Sequence, residues 1–164
     1  MIASQTPDLR FPTADDLPAL LSLNNAHAVE TGELTAAGLR ALIAASFRVR
    51  MVAPAAALCI AFDQTAQYAS PNFHWFRDRY PRFTYIDRVI VSPQARGRGL
   101  ARALYADVIE AARGAGHTLL CCEVNTFPPN PGSEAFHAAL GFHEVGRADL
   151  AGRGKRVKYL TLAI

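Results

Sequence analysis

The residues with the clearest chemical potential stand between Val91 and Arg113, in VSPQARGRGLARALYADVIEAAR, where Gly97 and Gly99 sit among Arg96, Arg98 and Arg102. An amphipathic run begins there. A helix N-terminus carries unpaired N–H groups and the positive end of its dipole, so it accepts a phosphate when the backbone is approachable. Two glycines remove the side chains that would block that approach, and arginine adds a planar fork matched to phosphate oxygens. Two other phosphate loops are excluded. No Lys followed by Ser or Thr closes the turn, and Arg102 stands where a dinucleotide fingerprint needs its third glycine. A helix start that merely needs glycines fits the same letters.

A second group of chemical residues lies downstream. Glu123, in CCEVN, is a carboxylate inside an apolar run, which is costly unless it has a partner or a task. Asp87 is a rival carboxylate, but Arg88 beside it and Arg82 nearby make an ion pair a ready explanation. Cys121 and Cys122 sit mid-strand with no basic neighbour to activate them as nucleophiles. No CxxC occurs, and His27, His74, His117, His137 and His143 lack ligand spacing, so no metal is expected.

The elements that must position these groups are legible from periodicity. LRFPTADDLPALLSLNN reads as a short strand, a cap near Thr13 to Asp15, and a helix carrying Leu17, Leu20 and Leu21 on one face. LTAAGLRALIAAS repeats the pattern, with Thr35 as cap and Leu39, Leu42 and Ile43 as the apolar stripe. FRVRMVA and AALCIAF form a candidate hairpin. From Asp63 to Pro81 the pattern dissolves into a polar and aromatic insertion, read as too irregular for a core element. Its Tyr68, Phe73, His74, Trp75, Phe76 and Tyr80 suit either a lid over an acceptor site or the plug of a small side core.

RFTYIDRVIV is a strand, the run from Leu100 is its crossover helix, and GHTLLCCEVN is a strand apolar enough to be buried on both faces. Together they make a βαβ unit. After TFPPNPG a helix runs from Ser133 to Leu140 and closes at Gly141, and FHEVGRADL and KRVKYLTLAI form a last pair of strands around Gly152 to Gly154.

Composition sets the frame. A chain of 164 residues, 51% hydrophobic and 19% charged, suits one domain over 1–164 with a full core and argues against disorder. The net charge of +3 suits an anionic ligand, yet the basic residues form no block, which argues against nucleic acid as a partner. The cysteines Cys59, Cys121 and Cys122 suit a reduced compartment better than a disulfide framework. With no signal pattern at the N-terminus and no apolar run of membrane-spanning length, the expectation is a cytoplasmic protein without a membrane partner.

Arg96, Gly97, Arg98, Gly99, Leu100 and Ala101, led in by VIVSP, resemble the pyrophosphate loop of the GNAT superfamily of acyl-CoA-dependent N-acyltransferases. NPGSEAFHAALGF is similar to the family's later helix, opened by Asn and ended by a Gly-Phe pair. The two blocks stand in the family's order and cover about the C-terminal half. The resemblance implies an α/β (α+β) fold: a mixed, partly splayed sheet of about six or seven strands with helices on both faces.

It also implies a reaction, the transfer of an acetyl group from acetyl-CoA to a primary amine through a ternary complex. Amides from Gly97 to Arg102 would hold the pyrophosphate of acetyl-CoA, Val89, Ile90 and Val91 would pair with the pantetheine arm, and Asn130 would lie near that arm. Such transfer needs a deprotonated amine, oxyanion donors and a proton for the thiolate. Glu123 matches the family's general base, with backbone N–H groups near Val91 as oxyanion donors. At His137 the family's usual residue is a tyrosine acting as general acid. A phenol of pKa about 10 stays protonated at neutral pH, whereas a histidine near 6.5 is roughly one-quarter protonated at pH 7. His137 as the acid therefore implies an alkaline limit on activity; His137 as mere packing implies none. The missing tyrosine leaves open a non-catalytic acyl-CoA-binding or sensing module, and the loop alone leaves open a nucleotide-binding protein. A monomer or a homodimer is expected, and no residue names the amine.

Overall fold

The computed structural model describes residues 6–164. The first five residues, on which part of the leader reading rests, lie outside the described residues. A 3-10 turn at Ala14–Asp16 leads into α1 (Leu17–Ala26), followed by α2 (Ala28–Thr31), α3 (Ala36–Ala45), β1 (Arg48–Val52), β2 (Ala57–Asp63), α4 (Pro71–Arg77) and β3 (Thr84–Val91). Then come α5 (Leu100–Gly114), β4 (Leu119–Phe127), α6 (Pro131–Leu140), β5 (His143–Leu150) and β6 (Lys155–Ala163).

The helix starts follow the cap chemistry of the sequence. The Asp16 carboxylate accepts from the Thr13 amide at 2.7 Å and from its hydroxyl at 2.9 Å, and Thr35 accepts the Gly38 amide at 3.0 Å. Gly141, at φ 94°, ends α6 in the left-handed region that favours glycine. LRFP does not form a strand of the sheet; Arg10 makes only an isolated bridge to Met51. The charged fork of Arg10 is instead spent on Asp16, at 2.7 and 2.8 Å.

Among the described residues six strands form one mixed sheet in the order β1-β2-β3-β4-β6-β5, with β3 and β4 parallel and every other pair antiparallel. Alternation sorts the side chains to two faces. Leu58, Ile60 and Phe62 of β2 join Leu20 of α1, Leu39 of α3 and Phe73 of α4 in one core cluster. Ala57, Cys59 and Ala61 face the other way, against Leu104 and Val108 of α5. Arg48 of β1 clasps Asp107 of α5 through two bonds of 2.7 and 2.6 Å. Helices thus cover both faces of the sheet.

The insertion between Asp63 and Pro81 corrects the sequence reading. It contains α4, capped by Ser70, whose hydroxyl accepts the Phe73 amide, with Pro71 in the first turn. Phe73 and Phe76 have no exposed surface and sit in the same cluster as the sheet, so the segment is a core element. Seven helical residues are too few for a clear period, and adjacent aromatics hide the buried face.

Candidate active site

The parallel pair β3 and β4 is joined only at Thr84 with Leu120 and at Tyr85 with Cys121. Beyond that point β3 runs on to Val91, held by β2 alone, and β4 runs on to Phe127, held by β6. The strands part, and a cleft opens between them. The amide of Ser92 bonds the Ala56 carbonyl on the β2 side at 2.8 Å, so by strand alternation the Val91 N–H is turned toward the gap.

One arm of the cleft is lined by Val89, Ile90, Val91, Arg96, Ala101 and Asn130, with His137 at its inner end. Between Arg96 and Ala101 of this lining, Gly97 and Gly99 take φ of 75° and 74°, a region L side chains rarely enter, while space beside both is open. Gly99 caps α5, and the first amide with an intrahelical bond is Ala103, onto the Gly99 carbonyl at 3.0 Å. Among the described residues the amides from Gly97 to Arg102 make no backbone bond. A run of unpaired N–H groups at the positive end of a 15-residue helix fits a pyrophosphate. Arg96, Arg98 and Arg102 are exposed around it, whereas the Leu100 side chain is core, leaving only its backbone for a ligand. Asn130 accepts the Ser133 amide at 3.2 Å as the cap of α6.

The other arm reaches Glu123, Tyr105, Cys122, Asp87, Tyr68 and Asn72. Glu123 receives the Tyr85 hydroxyl on Oε2 at 2.7 Å and the Asn72 amide on Oε1 at 3.1 Å. Asn72 is itself fixed by the Tyr159 hydroxyl, which donates to its Oδ1 at 2.9 Å. Burial pushes the Glu123 carboxyl up to about 8, against the two side-chain hydrogen bonds that favour its ionised form.

Asp87 is engaged in the way its neighbours suggested. Its carboxylate accepts from Arg88 Nε at 2.7 Å and from the Tyr68 hydroxyl at 2.6 Å, and the ion pair is almost wholly buried. Arg82 goes elsewhere, to the Ala115 carbonyl. Arg88 also donates to the Asn24 side chain, tying β3 to α1. Cys59, Cys121 and Cys122 are free and buried, and desolvation pushes all three thiols far above the usual range, which denies them a thiolate. His137 is buried, with Nδ1 at 2.7 Å from the Ser133 carbonyl and Nε2 at 2.6 Å from the Tyr105 hydroxyl. Burial lowers its pKa.

The structure therefore brings Val89, Ile90, Val91, Arg96, Ala101, Asn130, Glu123 and His137 to one branched cleft. Sequence reasoning missed Asn72, Tyr85 and Tyr105, the partners of the two titratable residues, and Tyr159, which holds Asn72. For the tyrosines the one signal was a polar group within an otherwise apolar stripe, as for Tyr105 between Leu104 and Val108, and Asn72 carried none. No group of His, Cys, Asp and Glu positioned to hold a metal ion is found among the described residues. No helix there is long and apolar enough to cross a membrane.

The sequence model of the acetyltransferase (GNAT) family matches residues 54–142, which include both sequence blocks and the splayed strands. Similar solved structures include yncA, a putative acetyltransferase from Salmonella typhimurium with its cofactor acetyl-CoA, at 19% identity over 96% of this chain and 93% of that one, TM-score 0.70. Ard1 from Thermoplasma volcanium superposes with a TM-score of 0.76 at 15% identity, covering 97% and 98% of the two chains. A ribosomal-protein-alanine N-acetyltransferase from Brucella melitensis gives 0.68 at 22% identity over 95% and 99%. At these identities the likeness is one of fold. No curated protein matches the sequence.

Proposed function

The chain belongs to the acetyltransferase (GNAT) family and is an acetyl-CoA-dependent N-acetyltransferase, and from that premise we propose that it acts by direct attack of a primary amine, with Glu123 as the base. The observation that carries this reading is the Glu123 carboxylate, held by Tyr85 and Asn72 in the cleft that runs along Val89–Val91 to the unpaired amides of the glycine turn.

Acetyl-CoA supplies the acetyl group as a thioester, and transfer forms an N–C bond, breaks a C–S bond, takes a proton from the amine and returns one to the sulfur. Glu123 takes the amine proton, directly or through one water. A carboxyl with a pKa of about 8 is a stronger base than an exposed one, and Tyr85 and Asn72 fix its two oxygens so that little reorganisation precedes attack. The Val91 N–H supports the oxyanion, and the amides from Gly97 to Arg102 bind the pyrophosphate. Cys121 and Cys122, held as thiols, are not poised as nucleophiles for a covalent intermediate.

One chain supplies all of these groups, which supports a single domain over 1–164 working as a monomer or homodimer. Three free buried cysteines support a reducing, cytoplasmic setting. The test is incubation of the purified protein with acetyl-CoA and a panel of primary amines, following thiol release and the mass of the product. N-acetylated product with stoichiometric thiol, and no burst of thiol from acetyl-CoA in the absence of an amine, supports direct transfer to an amine. Coenzyme A binding by calorimetry with no product from any amine would instead identify a binding or sensing module.

A further inference from the structure

The side chain at position 137 meets the cleft through another residue. Tyr105, on α5, sets its hydroxyl 2.6 Å from His137 Nε2, and both residues line the cleft. The imidazole is clamped: Nδ1 lies 2.7 Å from the Ser133 carbonyl, a partner that can only accept, which places the proton on Nδ1. Phe136 and Phe142 pack edge-on against the same ring. Nε2 is then an acceptor, and its partner is the Tyr105 O–H. Neutral His137 in this arrangement has no proton to offer the cleft.

The alternation along β4 places this pair opposite the base. Cys122 belongs to the cluster that holds Tyr105, on the α5 side of the sheet. Glu123, the next residue, bonds Asn72 of α4 and Tyr85, which belongs to the cluster of the opposite face. Since β3 and β4 have already parted, the gap between them connects the two faces. An amine deprotonated by Glu123 approaches from the α4 side, and the sulfur departs toward the α5 side, where the polar hydrogen is that of Tyr105. Resting on the direct-attack reading above, we propose that Tyr105 is the catalytic residue that donates a hydrogen bond to the departing sulfur, and that His137 is its positioning residue. The family's tyrosine position is occupied by the support, and the hydroxyl comes from the neighbouring helix.

Donation needs no net proton transfer. The O–H turns from Nε2 to the sulfur as charge develops there, and the thiolate takes its proton from water after the C–S bond is broken. The titratable groups around Tyr105 are His137, Cys122, Cys59 and Glu123. Burial holds the phenol protonated well above its usual range, so it remains a donor throughout neutral and moderately alkaline pH.

The test reads the thiol of bound coenzyme A, whose free counterpart is an ordinary thiol. A hydrogen-bond donor aimed at the sulfur favours thiolate and lowers the thiol pKa in the complex. Coenzyme A binding is followed by calorimetry across pH, with the ultraviolet absorbance of the thiolate as a second record, for wild type, Tyr105→Phe, His137→Leu and His137→Gln. The wild-type complex should titrate below free coenzyme A, and Tyr105→Phe should restore the free value with binding of the thiol form within about threefold. His137→Leu should behave like Tyr105→Phe, and His137→Gln, which keeps a hydrogen-bonding partner for the phenol, should recover part of the effect. In turnover, Tyr105→Phe should lower kcat by about 10²-fold with KM for acetyl-CoA little changed. An identical bound-thiol titration in wild type and Tyr105→Phe overturns the proposal even if Glu123 acts as the base. If wild type binds no coenzyme A, the direct-attack reading falls and the proposal falls with it.

Discussion

The Tyr85 hydroxyl donates to Glu123 Oε2 across 2.7 Å, and Tyr85 is the last residue of β3 that pairs with β4. The bond spans the two strands at the point where their backbones stop meeting. A side-chain contact thus takes over where the ladder ends, and it holds the carboxylate at the neck of the cleft. On the far side Asn72 completes the grip. The carboxylate is held firmly by groups that stay neutral, so burial still dominates its titration.

Glu123→Gln should lower kcat/KM by about 10²- to 10⁴-fold while coenzyme A still binds. With an acceptor whose amine is already neutral across the range, wild-type kcat/KM should rise with pH and level off above about 8, as Glu123 ionises. The variant should lack that limb. Stability should carry the same signature. The folded-state pKa lies above the usual 4.5, so the contribution of this one carboxyl to stability is fullest below about pH 4.5 and is lost as pH rises through about 8. Thermal unfolding of Glu123→Gln should show a flatter dependence over that window; parallel curves for the two proteins would contradict the assignment.

Tyr85→Phe removes a donor that favours the ionised carboxylate. The Glu123 titration should therefore move further up, and the rising limb of the pH–rate profile should shift to more alkaline pH. Activity at pH 7 should drop more than activity at pH 9. Equal losses at both values would mean that the phenol does not tune the base.

Gly99→Glu tests the glycine turn. The space beside Gly99 is open, so the substitution meets no steric wall in the protein, but it places an L residue at φ 74° and a carboxylate beside the pyrophosphate amides. The backbone term costs about 1–2 kcal/mol. Heat from coenzyme A should vanish in calorimetry while the variant remains folded by circular dichroism. Undiminished binding would remove the turn from the cofactor site.

Most of the fold was legible because its elements are amphipathic at their own periods and punctuated by side chains with one physical use. Thr35 caps, Gly141 stops a helix, and the run from Thr84 to Val91 can only be a strand. Helix α4 was not legible, since Pro71, His74, Trp75 and Arg77 carry no stripe and its burial is decided by a sheet distant in sequence. The site divided in the same way. The glycine turn and Glu123 stand out locally, as backbone geometry and as charge in an apolar run. Tyr85, Asn72, Tyr105 and Tyr159 acquire meaning only through partners 38, 51, 32 and 87 residues away. For His137 the sequence showed the departure from tyrosine but not the phenol behind it, because α5 and α6 meet only in the folded chain.

Gly146 links the far edge of the sheet to the base. A Cβ at Gly146 would run into Cζ2 of Trp75, closer than real Cβ atoms approach. Trp75 stacks on Tyr159 with ring centroids 4.2 Å apart, Tyr159 holds Asn72, and Asn72 holds Glu123. Gly146→Ala should therefore do two things. Overpacking against a rigid indole should cost about 1–3 kcal/mol, visible as a fall in Tm of roughly 2–4 °C per kcal/mol for a chain of this size. Displacement of Trp75 should also loosen Tyr159 and weaken the Asn72 bond to Glu123, a bond that favours the ionised carboxylate. The rising limb of the pH–rate profile should then move to higher pH, although Gly146 touches neither substrate. Trp75→Phe in the same background removes the colliding part of the indole and should restore both Tm and the limb in part. If Tm recovers and the limb does not, packing at this edge and the state of Glu123 are independent, and the chain from β5 to the carboxylate carries stability alone.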